Sequence, residues 1–186
     1  ALAAEFTYHE EIRLADGHIA VYKLPSGDRG GRAVEGYPSG YEVAGIPNGE
    51  HPEEAYQLRR LVEAGKYAEA EARVRAFYQD RAKTADLWTP SFAARFFLRD
   101  TVHHRGPTGA AKILQKAVGV DVDGKIGVKT RRAIAEFTSA ELLLEHLREA
   151  REWWERAGMH RDETSDLWRG LRRRWDRCLA AARKLL

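Results

Sequence analysis

The sequence predicts an α+β domain, predominantly helical, with a small antiparallel sheet near the N-terminus. Three observations predict it. Between residues 17 and 46, runs of strand formers (HIAVYKL and YEVAGI) alternate with Gly- and Pro-rich turns. Beyond Pro52, apolar residues recur at helical spacing almost to the end. Hydrophobic residues make up 44% of the chain, enough for a core, yet no apolar run approaches the ~20 residues of a membrane span.

A chain of 186 residues forms one domain, or one domain with an appended lobe. The expected division is residues 1–99, carrying the sheet, and residues 100–186, helical, packed as one compact unit. Lys and Arg number 31 against 28 Asp and Glu, a net charge of +3, and the sequence pI is about 9.0. Mild basicity suits an anionic polymer, although most of these cations alternate with Glu along helices, the pattern of a solvated face. Cys178 is the only cysteine, so no internal disulfide forms, and its apolar neighbours mark it as a buried, inert thiol. Residues 1–4 lack the charged-then-apolar pattern of a signal segment, so the sequence assigns no export route.

Residues 6–15 read as a short helix or a strand. Residues 18–24 read as a strand, 25–40 as loops, and 41–46 as a second strand. Pro52-Glu53-Glu54 starts a helix carrying Tyr56, Leu58, Leu61 and Val62, which Gly65 breaks. A second helix follows from Tyr67 to Arg81, with Ala70, Val74, Phe77 and Tyr78 on one side. After the loop DLWTP, helix resumes at Ser91 with Phe92, Phe96 and Phe97. Ser139 caps a long helix through Leu147 and Trp153. The last helix, from Asp166, carries Trp168, Leu171 and Trp175 at helical spacing. Its RGLRRRWDR run is therefore first a packing helix, and no nucleic-acid motif accompanies it.

Residues 100–137 hold the most specific pattern. Gly106-Pro107 punctuates the start of a helix with Thr108 as its N-cap, and Ala110, Ile113, Leu114 and Ala117 line one face. Gly119 is the C-cap glycine. In VDVDGKIG, Asp123-Gly124 forms a tight turn and Ile126 an apolar plug, and Lys129-Thr130 opens a further helix. Val122, Ile126 and Ile134 are expected to be buried.

LQKAVGVDVDGKIGVKTRRAI resembles the "LQ-x-A-x-G-V…DG-x-I-G-x-x-T-x-x-A" element of peptidoglycan-binding modules. With DTVHHRGPTGAAKILQ ahead of it, the chain resembles the glycoside hydrolase family 108 peptidoglycan hydrolases, also called secretion-activator or N-acetylmuramidase-like proteins. These carry "D-x-x-x-N-x-G-P-x-x-A-x-x-x-LQ". The resemblance implies a lysozyme-like fold, no cofactor, and cleavage of the β-1,4 bond after muramic acid in peptidoglycan. If the protein is active, its place of action is the cell wall or periplasm, and a monomer is expected.

Glycoside hydrolysis needs an acid to protonate the leaving oxygen and a second group to attack the sugar, stabilise it or activate water. In lysozyme-like folds the acid closes the first helix and its helper lies on the sheet beyond. LADGHIAVYKLPSGD is similar to the "E-G-x-x-L-x-x-Y-x-D" segment of phage-type lysozymes and to "E-G-G-Y…P-x-D-x-G-G-x-T-x-x-G-I" of family 108. Aligned on Gly17, Asp16 takes the place of the catalytic Glu, Asp28 matches the second acidic position, and Glu42 stands where the family has Thr. Glu11 is the alternative acid. His104, at the family's Asn, is expected to line the sugar groove, and Tyr22, Tyr37, Tyr41, Trp88 and Trp168 are candidate sugar-stacking rings. Around His103-His104 the neighbours Thr101, Val102 and Arg105 supply no second carboxylate or Cys to complete a metal site, so no metal is assigned.

Each nomination has a structural alternative. Asp16-Gly17 is also the pair of a type I′ hairpin, and Asp28 a loop residue bonding its own backbone. Glu42 and Glu11 are also exposed charges, and the aromatic rings also core. Asp16 is one methylene shorter than Glu, roughly 1.5 Å, and a ~1 Å misplacement costs ~100-fold in rate. Two functions therefore stand side by side: a glycan-strand hydrolase, and a non-catalytic peptidoglycan-binding protein that has lost the catalytic Glu.

Overall fold

A computed structural model describes every residue except Arg13 and Asp16, and only the backbone of Ala15. Seven α-helices and five short strands are described: α1 (Leu2–Glu11), β1 (Leu14–Ala15), β2 (His18–Ile19), β3 (Val21–Lys23), β4 (Tyr41–Val43), β5 (Ile46–Pro47), α2 (Pro52–Glu63), α3 (Tyr67–Ala82), α4 (Phe92–Ala117), α5 (Val128–Ala135), α6 (Ala140–Trp153) and α7 (Asp166–Arg183). The chain packs into two compact units, Thr7–Tyr78 and Ala1–Phe6 with Gln79–Leu186. The expected boundary at residues 99/100 falls inside α4, which runs through that point.

In the first unit β1 pairs with β2, and β3, β4 and β5 form a separate antiparallel sheet with β4 in the centre. Two expectations are corrected here. Residues 18–24 are not one strand but β2 and β3, which belong to different sheets. YEVAGI is not a single strand either. It reverses at Ala44-Gly45, both at positive φ (49° and 68°), and Ile46 returns to pair with Val43. A two-residue loop with both φ values positive is the type I′ hairpin, whose twist matches that of the strands.

In the second unit α4, α6 and α7 pack around Phe97, Leu98, Val102, Ile113, Leu114, Leu144, Leu147 and Cys178, all fully buried. Ser91, Ser139 and Ser165 cap α4, α6 and α7 by accepting from the backbone N–H three residues on. α4 kinks at Gly106 (φ 65°, ψ 170°). Pro107, not Thr108, opens the second half, because its fixed φ and missing N–H suit the first helical position.

At the heart of this unit lies a charge. Asp100 of α4 is wholly buried and accepts from Arg151 of α6 (2.9 Å) and Arg174 of α7 (2.7 Å). Arg151 is equally buried, with its guanidinium 5.6 Å from the Phe97 ring and 5.9 Å from that of Trp175. Burial alone would raise the Asp100 carboxyl. The charges of Arg174, Arg151 and His104 outweigh it and hold the group well below the usual carboxylate range.

Gln115, also buried, organises the DGKIG turn. Its amide nitrogen donates to Asp123 Oδ1 (2.6 Å) and to the Lys125 carbonyl (3.0 Å), and its oxygen accepts from Gly124 N (2.7 Å). These polar bonds hold the turn, so it needs no full apolar plug. Ile134 is buried and Ile126 half-buried against the core, but Val122, expected inside, is 37% exposed.

Removing one partner of a buried ion pair strands the other charges, which costs about 3–5 kcal/mol. Asp100→Asn is expected to lower unfolding free energy by about 3 kcal/mol or more in urea titrations. Because the folded-state pKa lies below the ~3.9 of an unfolded Asp, this stabilisation is complete above about pH 5 and fades as pH falls below about 4. The gap between wild type and Asp100→Asn therefore narrows in acid. Gly124 sits at φ 80°, and a Cβ there would come 2.9 Å from Thr108 Cγ2. Gly124→Val is expected to cost more than about 1 kcal/mol in the same measurement.

Candidate active site

The sequence-nominated residues Glu11, Tyr22, Asp28, Tyr41 and Glu42 belong to the unit Thr7–Tyr78. Glu11 is the last residue of α1 and is half-buried. One turn earlier Tyr8 is buried, with the Arg75 guanidinium of α3 3.8 Å over its ring. Burial, then the charge and hydrogen bond of Glu71, push the Tyr8 hydroxyl up to about 12 against the opposing pull of Arg75. This packing anchors the end of α1, the helix that carries Glu11. The carboxyl lies directly on Gly45 in the β4–β5 turn. A Cβ built at Gly45 would stand 2.5 Å from Glu11 Oε2 and 3.3 Å from Glu11 Cβ, so only glycine leaves the carboxyl its place.

Glu42 lies on the central strand. It stands opposite Tyr22 on one side and Pro47 on the other. Its neighbours Tyr41 and Val43 point into the core, so the pleat turns Glu42 and Tyr22 together onto the other face, where both are half-buried. Tyr41 is buried with Arg59 5.0 Å over its ring, so that ring is not open to a sugar.

Asp28 is exposed and caps the short 3₁₀ turn Arg29–Gly31, its Oδ1 accepting from Gly30 N at 2.7 Å. Its role in the described geometry is to shape the DRGG turn. Gly30 packs on Pro47, where a Cβ would come within 2.9 Å of the ring. That seats the turn beside the cross-strand neighbour of Glu42. The loop is tied down by Asn48, which no motif in the sequence marks. Asn48 is wholly buried, accepts from Tyr41 N (3.0 Å) and donates to the Arg32 carbonyl (3.1 Å). Gly49 N donates to the Gly30 carbonyl and Arg32 Nε to the Gly49 carbonyl. The Pro-Asn-Gly triplet was a turn signal, but nothing in it marked the side chain as buried.

Asp16 lies outside the described residues. The strands flanking it pair antiparallel, Leu14 with Ile19 and Ala15 with His18, and the His18 ring stacks on Tyr67 of α3 at 4.2 Å. Of the remaining nominations, His104 is half-buried on α4, one turn beyond Asp100, where its charge helps depress that carboxyl. Trp88 and Trp168 are buried in the unit containing His104, whereas Tyr37, in the sheet unit, is half-buried and donates to Glu53. A cavity of about 330 Å³ beside Gln115 is lined by Asp121, Asp123, Lys125, Lys129 and Thr130.

Truncating Asn48 leaves a buried N–H and a carbonyl unmatched, at about 1–3 kcal/mol. Asn48→Ala is expected to lower stability by that amount and to raise amide exchange at Tyr41, measured by hydrogen–deuterium exchange.

Neither a protein-family model nor a curated protein matches the sequence. The fold, in contrast, has a solved counterpart. The chain is similar to the structure of Brucella abortus SagA, with a TM-score of 0.64 and 25% sequence identity over 99% of this chain and 93% of that one. The architecture is therefore the lysozyme-like α+β fold, mainly helical with a small antiparallel sheet near the N-terminus.

Proposed function

We propose that this chain is a peptidoglycan glycan-strand hydrolase of the lysozyme or N-acetylmuramidase type, related to glycoside hydrolase family 108, with Glu11 as its general acid. The seat of Glu11 carries the reading. It closes the first helix, as the acid of a lysozyme-like fold does, and its carboxyl is wedged on the backbone of the sheet's hairpin turn. A general acid has to be held where its proton meets the leaving oxygen, and a carboxyl fixed on one side by packing meets that need. Glu42 is the second carboxylate, either attacking the anomeric carbon or activating water on its far face. Tyr22, its cross-strand neighbour, offers a ring to the sugar. Asp28 supports the site through the DRGG turn, and Asp16 is the rival acid. The protein acts on the cell wall or in the periplasm.

The second reading is a peptidoglycan-binding protein without turnover. The Gln115-centred element and its charged cavity favour it, since they owe nothing to an acid.

The test is release of reducing ends from purified peptidoglycan, with pelleting on the same wall as the binding readout. Glu11→Gln is expected to abolish cleavage and leave pelleting intact, whereas Asp16→Asn keeps most of the rate. An inactive Asp16→Asn beside an active Glu11→Gln moves the acid to Asp16. A wild type that pellets without cleaving establishes the second reading.

A further inference from the structure

We infer that Tyr78 is the positioning residue for Glu11, acting through the β4–β5 turn; this rests on the reading of Glu11 as the acid. Ala44 occupies the first central position of that turn at φ 49°, a conformation that a residue with a Cβ rarely adopts. Asn, Asp and Gly are the usual occupants. Ala44 is only 3% exposed and has no polar side chain to stabilise its own left-handed backbone. The stabilising group comes from elsewhere. Tyr78, on α3 and itself buried, donates its hydroxyl to the Ala44 carbonyl.

That carbonyl belongs to the peptide joining Ala44 to Gly45. Fixing its plane fixes the Cα of Gly45, and the Glu11 carboxyl lies against that Cα. Tyr78 therefore touches neither substrate nor acid, yet sets where the acid stands. Strained, over-determined backbone of this kind is what a pre-organised site uses to hold geometry. Val43 and Ile46, on either side of the turn, are fully buried, so a change at the turn has few ways to relax except towards Glu11.

The experiment compares Tyr78→Phe and Gly45→Ala with wild type, with Glu11→Gln alongside. Tyr78→Phe keeps the buried ring and loses only the hydroxyl. It is expected to lower kcat about 10- to 100-fold, the scale of an ångström-sized misplacement, with KM and wall pelleting unchanged. Gly45→Ala is expected to do the same, and the double variant to lose no more than about the larger single loss, since both act on one carboxyl. The ¹³C carboxyl resonance of Glu11 is expected to move in both variants, while that of exposed Glu50 stays. A wild-type kcat in Tyr78→Phe, beside an inactive Glu11→Gln, overturns the positioning role alone. An active Glu11→Gln overturns the acid reading and this inference with it. If the wild type does not cleave, an unmoved Glu11 resonance in Tyr78→Phe still overturns the inference, and a moved one supports it.

Discussion

Asp100 places a full negative charge where solvent does not reach, and the helical unit is arranged to answer it. α6 and α7 each turn an arginine inward to the same carboxylate, so three helices from distant parts of the chain meet at one group. An apolar contact at that place would tolerate sliding. Two charge-assisted bonds with fixed directions do not, and so they set the relative register of α4, α6 and α7. The aromatic rings of Phe97 and Trp175 cover the Arg151 guanidinium, which lets a cation sit inside an otherwise apolar core. The same carboxylate opens the motif that runs through the Gly106 kink to Gln115 and the DGKIG turn. That motif reads as a run of structural anchors: an ion-pair hub, a helix break and a glutamine that binds the turn to the helix.

The sheet unit follows the same logic with backbone in place of charge. Asn48 ties the long loop to the strands, Gly30 and Gly49 allow backbone to approach backbone, and Asp28 closes the DRGG turn. Together they support a hairpin turn whose one unfavourable residue, Ala44, is held by Tyr78. Glu11 rests on that turn. Asp28 accepts from Gly30 N and shapes the DRGG turn, and the carboxyl at the end of the first helix is the one we propose as the acid.

Much of this was legible in the sequence, and the limits have physical causes. Helices were readable because Trp168, Leu171, Trp175 and Cys178 recur on one face, and because Ser91 and Ser139 stand where α4 and α6 need a cap. The buried arginines were written in the same code but go against its usual meaning. Arg174 stands three residues after Leu171 and four before Cys178, and Arg151 four after Leu147, both at core positions. A charge at an apolar position of a helical stripe was the available signal. Strand length was less legible, since YEVAGI alternates like a strand and only the left-handed backbone at Ala44-Gly45 turns it back. Tyr78 read correctly as a core residue of α3, but a ring's burial says nothing of where its hydroxyl points. Motif spacing alone does not choose between Asp16 and Glu11 as the acid, because spacing along the chain does not report which carboxyl meets the leaving oxygen.

Whether a glycan strand meets the proposed acid Glu11 is measured most directly by a crystal structure of Glu11→Gln with a peptidoglycan oligosaccharide bound. The side-chain amide of residue 11 is expected within about 3 Å of a glycosidic oxygen, with Glu42 on the opposite side of the scissile bond. An oligosaccharide whose glycosidic oxygens all lie away from residue 11, or whose scissile bond rests against Asp16 instead, would contradict it.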